Sequence, residues 1–230
     1  MMSLEDLNRD IVNCERCGRL SAYIREVAFR KVRRYRDWSY WGRPLPGFGD
    51  PEAKLLIVGL APAAHGANRT GRMFTGDSSG NWLARALYEI GFASKPESRH
   101  RDDGFELKSA YISSVVRCAP PENRPTRDEI ENCLPYLLRE LELLKNLKVI
   151  LCLGEIAFRG TLRVLRGKFP EVNFRGVRFG HGRRFTPEGL PYTLYSSYHP
   201  SRQNTQTGRL RWEDWISVFR AIRAELEVDS

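Results

Sequence analysis

The sequence lacks any long apolar segment. It contains no run of about 18 consecutive apolar residues, the length that indicates a membrane-spanning helix. Its first residues, MMSLEDLNRD, are acidic and lack the apolar core of a secretory signal peptide. We therefore expect a cytoplasmic protein that does not enter a membrane.

Lysine is also scarce. Only 7 of the 37 basic residues are lysine and 30 are arginine, and the 28 acidic residues leave a formal net charge of +9. The planar guanidinium group pairs well with phosphate, so the balance favours a polyanionic partner such as nucleic acid. Genome composition or a heat-stable host would produce the same arginine excess. Charge alone therefore names no ligand.

Internal repeats and low-complexity tracts are absent from the sequence. With 41% hydrophobic and 28% charged residues, the composition excludes collagen-like, coiled-coil and disordered chains. A chain of 230 residues often has one hydrophobic core. We expect residues 1–230 to form a single domain.

Short apolar runs alternate with segments of helical period. LLIVGL (55–60), AYISSVV (110–116) and VILCLG (149–154) are typical of strands buried on both faces. A looser alternation over 172–198 predicts a hairpin whose second arm joins the sheet. The pattern predicts a three-layer α/β/α domain with a central, mostly parallel four-stranded sheet.

Loops at the carboxyl ends of parallel strands are where such folds bind ligands. Three polar loops qualify, at 61–80, 117–125 and 199–209. A further loop, GRPLPGFGDP at 42–51, is marked by proline and glycine.

Two capping boxes predict helix starts. Ser3 is followed three residues later by Asp6, and Thr126 by Glu129. Pro135 lies within the second predicted helix, so it should kink that helix or mark its true start.

Residues 19–41 mix basic and aromatic side chains. The aromatic residues are Tyr23, Phe29, Tyr35, Trp38, Tyr40 and Trp41. The mixture is compatible with nucleic-acid binding, and equally with a solvated helix whose basic side chains extend over the core.

The sequence has five cysteines, Cys14, Cys17, Cys118, Cys133 and Cys152. The first two form a C-x2-C pair, and the first four lie in loops or at element ends. Thiolates in such a set suit zinc or an iron–sulfur cluster, while ordinary buried cysteines are the alternative. Cys152 lies within an apolar strand and is excluded from the set.

Four segments together resemble a known family. GLAPA, GRMFTGD, SSVVRCAPPENRPT and SYHPSRQNT occur in this order and are similar to motifs of the uracil-DNA glycosylase superfamily, specifically family 5, its broad-specificity iron–sulfur branch. The resemblance implies an enzyme that flips a damaged nucleotide out of DNA and hydrolyses its N-glycosidic bond. It also implies a structural [4Fe-4S] cluster held by Cys14, Cys17, Cys118 and Cys133.

The resemblance assigns roles to four further residues. Phe74 matches the aromatic residue that stacks on the flipped base, and His199 matches the histidine that hydrogen-bonds the base O2. Ser201 would hold a DNA phosphate, with Arg202 as a neighbouring contact. Core packing for Phe74 and a structural role for His199 are the alternatives.

The sequence departs from the family pattern at two places. Most relatives have Asp, Asn or Glu in the first motif to position water, but Leu60 and Ala61 occupy that stretch here, and Ala61 is expected to contact the substrate. Asp77 is the nearest carboxylate, a candidate for orienting water or stabilising the cationic sugar, unless it only caps a helix. Ser114 stands where uracil-only relatives have Asn, which predicts broader substrate choice, including hypoxanthine.

These observations predict a monofunctional DNA glycosylase of base excision repair, a monomer that acts on damaged double- or single-stranded DNA. The alternative is a metal-stabilised nucleic-acid-binding module without catalysis, favoured by the arginine excess and the missing carboxylate. A zinc-dependent hydrolase would require an open metal position, which four cysteine ligands do not leave.

Overall fold

A computed structural model describes residues 2–228 of the chain. Its centre is a six-stranded sheet with the order β1-β3-β2-β4-β6-β5. The strands are β1 (Phe48–Gly49), β2 (Leu55–Gly59), β3 (Ala110–Ser114), β4 (Val149–Leu153), β5 (Arg183–Phe185) and β6 (Thr193–Ser197).

Four of these strands, β2, β3, β4 and β6, are mutually parallel neighbours, as the sequence predicts. The strand number was wrong, because β1 and β5 add short antiparallel strands at the two edges. They contain two and three residues, too few to show a hydrophobic period. β1 lies in the segment predicted as a loop, and β5 is the first arm of the predicted hairpin.

Helices cover both faces of the sheet. They are α1 (Leu4–Val12), α2 (Gly18–Arg30), α3 (Ala67–Thr70), α4 (Ser78–Glu89), α5 (Arg127–Leu143), α6 (Glu155–Lys168), α7 (Arg202–Gln206) and α8 (Trp212–Val228). Within residues 2–228, none of them is long and apolar enough to cross a membrane.

The strands bury side chains on both faces, which produces two cores. Leu56 and Val58 of β2 face the core formed with α2, α5 and α6. Leu55 and Ile57 face the opposite core, formed with α4 and α8. The alternation along a fully buried strand therefore confirms the predicted three-layer α/β/α class.

Both predicted capping boxes are present. The Ser3 hydroxyl accepts a hydrogen bond from the Asp6 amide, and the Thr126 hydroxyl accepts one from the Glu129 amide. Helix α5 begins at Arg127 and continues through Pro135, so the proline does not mark its start. Eight residues of helix precede the proline, and buried residues on both sides of it hold the helix against the core.

Candidate active site

A cleft with a volume of about 410 Å³ opens at the carboxyl ends of the parallel strands. All three loops predicted to bind ligands contribute residues to it. The structure brings together every predicted catalytic, substrate-binding and DNA-binding residue along its wall: Ala61, Phe74, Asp77, Ser114, His199, Ser201 and Arg202. The cysteines are not part of this lining.

Phe74 holds an unusual backbone conformation beside the end of β2. Its φ is +48°, a left-handed value that is costly for an aromatic residue. The ring fits only because residue 59 is glycine, since a Cβ there would lie 2.8 Å from the ring. The ring centroid lies 5.7 Å from that of His199. Phe74 thus lines the cleft and is not confined to the core.

His199 lies in the cleft as a neutral group. Burial lowers the pKa of its imidazole to about 4, so one ring nitrogen carries a hydrogen and the other accepts at neutral pH. Its backbone carbonyl accepts hydrogen bonds from the Ser201 amide at 2.8 Å and from Asn204 Nδ2 at 2.8 Å. These hydrogen bonds fix the backbone from which the imidazole extends.

The residues after His199 begin helix α7. The Ser201 hydroxyl caps this helix by accepting from the Asn204 amide at 3.3 Å. Arg202 is exposed in its first turn. The Ser79 hydroxyl donates to the Pro200 carbonyl at 3.0 Å, which joins the start of α4 to the His199 loop.

Asp77 is the N-cap of α4, so the alternative role foreseen for it is present as well as its place in the cleft. Its Oδ1 accepts from the Gly80 amide at 2.8 Å. Oδ2 points at Gly66, where a Cβ would lie 2.2 Å away. Burial raises the pKa of this carboxyl, while the backbone hydrogen bonds and the charges of Arg69 and Arg202 lower it.

Ser114 ends β3 with its side chain at the base of the cleft. Its hydroxyl donates to the Val116 carbonyl at 2.8 Å. The hydroxyl hydrogen is therefore already donated, and the oxygen can still accept a hydrogen bond from a ligand. Ser114 can accept a hydrogen bond from a base but does not present the two-sided pattern of an amide.

Sequence reasoning missed four polar residues of the cleft, Ser78, Ser79, Asn123 and Glu155. Asn123 ends a 3-10 turn, Pro121–Asn123, and has a φ of +57°. Its only signal was its place in one of the expected loops. Glu155 opens α6 and pairs with Arg159 at 2.6 Å.

The four cysteines of the predicted cluster come from distant parts of the chain. Cys14 follows α1, Cys17 precedes α2, Cys118 follows β3 and Cys133 lies in α5. Burial raises the pKa of Cys118, with smaller contributions from Cys133, Cys14 and Cys17, so these thiols are neighbours. Burial raises the pKa of Cys133 to about 11.

Cys152 differs from these four thiols. It lies in the middle of β4 with no exposed surface, and burial raises its pKa to about 12. Thr161 is the neighbour that affects its titration.

Among residues 2–228, no three or more His, Cys, Asp or Glu side chains are arranged to hold one metal ion. A single zinc would bring four sulfurs to about 2.3 Å from one centre. A cluster spreads its thiolates over several irons and takes a wider set. Four neighbouring thiols provide the type of donor set that zinc or an iron–sulfur cluster takes.

Comparison with known proteins gives concordant matches. The family model described as "Uracil DNA glycosylase superfamily" matches residues 46–223. A type-5 uracil-DNA glycosylase of Pyrobaculum aerophilum is 46% identical over 221 residues, covering 96% of this chain and 92% of that protein.

A type-5 uracil-DNA glycosylase of Thermus thermophilus is also 46% identical, over 95% of this chain and 96% of that protein. A type-4 uracil-DNA glycosylase of Sulfurisphaera tokodaii is 28% identical over 87% of this chain and 76% of that protein. The sheet, the cleft and these near full-length matches agree, and the chain belongs to the uracil-DNA glycosylase superfamily, on its type-5 branch.

Proposed function

We propose that the chain is a monofunctional DNA glycosylase of base excision repair that hydrolyses the N-glycosidic bond of uracil in DNA. The observation that carries the proposal is the pairing of Phe74 with a neutral His199 inside one cleft. Identity to uracil-DNA glycosylases over nearly the whole chain supports the same activity.

The leaving base determines what the cleft must supply. As the glycosidic bond lengthens, negative charge collects on the base carbonyl and positive charge on the sugar. The N–H of neutral His199 donates to that carbonyl, and the bond strengthens as charge develops. Phe74 stacks on the base and holds it beside His199.

Water completes the reaction on the sugar side. Its oxygen bonds to the sugar carbon as the base departs with the bonding electrons, and the proton released by water balances the base anion. Asp77 supplies negative charge or orients this water, with Oδ1 fixed by the Gly80 amide. The abasic strand and the free base are the products.

Ser114 supports a broader substrate range. Because its hydroxyl proton is committed to the Val116 carbonyl, it offers a base only an acceptor. Uracil and hypoxanthine each present a ring N–H to such an acceptor. We therefore include hypoxanthine and other deaminated bases among the substrates.

A [4Fe-4S] cluster on Cys14, Cys17, Cys118 and Cys133 belongs to the same proposal. These residues do not line the cleft, so the cluster would hold the N-terminal helices against β3 and α5. It supplies structure and takes no part in hydrolysis.

The site of action is also a proposal. The net charge of +9 suits both double- and single-stranded DNA, and we propose that the protein acts as a monomer on cytoplasmic, nucleoid DNA.

Release of free uracil from a uracil-containing oligonucleotide under single-turnover conditions tests the function. We expect release by the parent protein and an abasic strand that alkali cleaves. Tight DNA binding with no base release would instead establish a non-catalytic nucleic-acid-binding module.

A further inference from the structure

A second depression lies directly beside the active-site cleft. We call it the arginine groove. Its volume is about 310 Å³, and its lining includes Arg34, Tyr35, Trp38, Arg69, Arg99 and Arg202. Asp77, Ser78 and Arg202 line both the groove and the cleft. The two spaces are therefore neighbours with one shared wall.

The floor of the groove is a stacked cation. The Arg69 guanidinium carbon lies 3.9 Å from the centre of the Tyr35 ring and 4.0 Å from that of Trp38. Both rings come from the basic and aromatic segment 19–41. This segment therefore contributes a specific structure beside the cleft and is not only a solvated helix over the core.

Arg69 is buried without a close counter-ion. The residue is 3% exposed; Nε donates to the His65 carbonyl and the second terminal nitrogen to the Gly76 carbonyl, each at 2.8 Å. Its other terminal nitrogen is buried and has no hydrogen-bond partner. Among residues 2–228 no carboxylate forms an ion pair with it, and Asp77 affects its pKa only through longer-range attraction.

A buried positive charge without an ion pair is unusual in proteins. The rest of the groove adds positive charge, because Arg34 and Arg202 are exposed at its rim. Arg99 is paired with Glu97 at 2.5 Å, and Asp77 is the one carboxylate in the described lining. The groove is therefore complementary to an anion.

Trp38 adds a second kind of contact. It is 37% exposed although Arg69 lies against its ring, so aromatic surface remains open to solvent. Bases and sugars pack on such surfaces in nucleic-acid sites. Arginines and an exposed aromatic ring together match one nucleotide, with its phosphate and its flat base.

We propose that the arginine groove binds the DNA phosphate of a nucleotide that flanks the excised one. The proposal rests on the proposed function, because it places the damaged nucleotide in the adjoining cleft. The flanking phosphate lies over Arg69 and is contacted by Arg34, while the nucleotide packs against Trp38. Binding in the groove fixes the strand as the damaged nucleotide enters the cleft.

The test removes one phosphate charge at a time. Duplexes carry a stable abasic-site analogue and a single uncharged methylphosphonate at one of the positions flanking it, and fluorescence anisotropy gives Kd. For the parent we expect one position where the methylphosphonate weakens binding about tenfold, as loss of a charged hydrogen bond does.

The partner residue is identified by a double-mutant comparison. In Arg34→Ala the effect of that methylphosphonate should shrink to less than about twofold, because the direct contact is already lost. In Arg69→Gln it should also shrink, because the buried charge that attracts the phosphate is gone. Arg33→Ala is the matched control. Arg33 and Arg34 belong to one short 3-10 helix, Arg33–Tyr35, and Arg33 is exposed but does not line the groove. It should keep the full tenfold effect.

Thermal unfolding of each variant shows whether it is folded. Because Arg34 is exposed, Arg34→Ala tests the groove even if Arg69→Gln is unstable. Equal methylphosphonate effects in the parent and Arg34→Ala at every position would overturn the proposal. If the parent releases uracil in that case, the function stands and only the groove is wrong. Coupling in a protein that releases no base would instead leave the groove intact and refute the glycosylase.

Discussion

His199 combines a donor with a low pKa. Burial holds the pKa of the imidazole at about 4, so the imidazole stays neutral across the physiological range. A neutral donor forms a weak bond to a neutral base carbonyl and a stronger one to an anion. In the proposed mechanism His199 therefore favours the transition state over the bound ground state.

His199→Ala should lower single-turnover uracil release by about 10²- to 10³-fold, the cost of removing one donor from comparable oxyanion sites. Affinity for abasic-site DNA should change little, because the product strand lacks the base that His199 contacts. Rapid-quench kinetics and anisotropy measure the two quantities. Full activity in His199→Ala would remove the central claim of the proposed mechanism.

The same pKa shift predicts how stability depends on pH. An unfolded histidine has a pKa near 6.5, and the folded one near 4, so between these values the unfolded state binds a proton that the folded state does not. Stability should therefore fall as the pH drops from about 6.5 to about 4.

His199→Gln lacks this titration, so its Tm should fall less than that of the parent when the pH is lowered from 7 to 4.5. Both proteins retain His65 and His181, whose pKa values burial also lowers, so the difference reports His199. Parallel Tm curves for the two proteins would show that the imidazole is protonated alike when folded and unfolded.

The motifs predicted site residues that the structure places in one cleft. The loops that hold Phe74, Asp77 and His199 follow buried strands, and the apolar residues of those strands predict their burial. Asn123 was not foreseen, because its position depends on a turn with two consecutive positive φ values at Glu122 and Asn123. Neither residue is glycine, and a single asparagine is only a weak signal for a positive φ, so the local sequence does not predict that backbone.

At the scale of elements, helix α4 depends on a residue of the cleft. Asp77 caps its first turn, so a change there affects stability as well as chemistry. Asn and Asp are nearly equal as N-caps, and Ala is much worse. The pair of substitutions therefore separates the two roles.

Asp77→Asn should unfold at nearly the same denaturant midpoint as the parent. In Asp77→Ala the free energy of unfolding should fall by about 1 kcal/mol. If the carboxylate stabilises the cationic sugar, both variants should release uracil much more slowly than the parent. A fast Asp77→Asn would leave only water positioning, and a fast Asp77→Ala would reduce Asp77 to a helix cap.

The central strands and the capped helices were predictable, and the sheet edges were not. β2 and β4 are five-residue apolar runs, and an uninterrupted apolar run predicts a strand that is buried on both faces. β1 pairs Phe48 and Gly49 with β3 inside a segment rich in proline and glycine. Such pairing depends on the neighbouring strand, which local sequence does not describe.

At the scale of the whole molecule, the excess of 9 positive charges predicts salt-dependent DNA binding. Each phosphate neutralised by the protein releases counter-ions, so log Kd against log salt should be steep, with a slope near 0.9 per phosphate. Anisotropy on undamaged duplex from about 50 to 200 mM salt measures it. A flat response would show that the arginines face away from the DNA.

The four cysteines of the proposed cluster lie far apart in the sequence and are neighbours in the fold. Cys14 and Cys17 lie at the ends of α1 and α2, and Cys118 and Cys133 follow about a hundred residues later in the sequence. The N-terminal segment is also held by Arg19, which donates to both carboxylate oxygens of Glu129 at 2.7 Å. A cluster would add a covalent connection at the same contact.

The purified protein should be brown and contain iron and sulfide in matched amounts, as four cysteine ligands to a [4Fe-4S] cluster require. Cys118→Ser should lose most of the iron, because the thiol neighbours the other three. It should also lower Tm, since the connection between the N-terminal helices and the sheet is then broken. Cys152→Ser is the control, with unchanged iron content, because that thiol lies apart within β4. Stoichiometric zinc without iron after anaerobic purification would contradict the cluster and leave the thiols as ligands of a single ion.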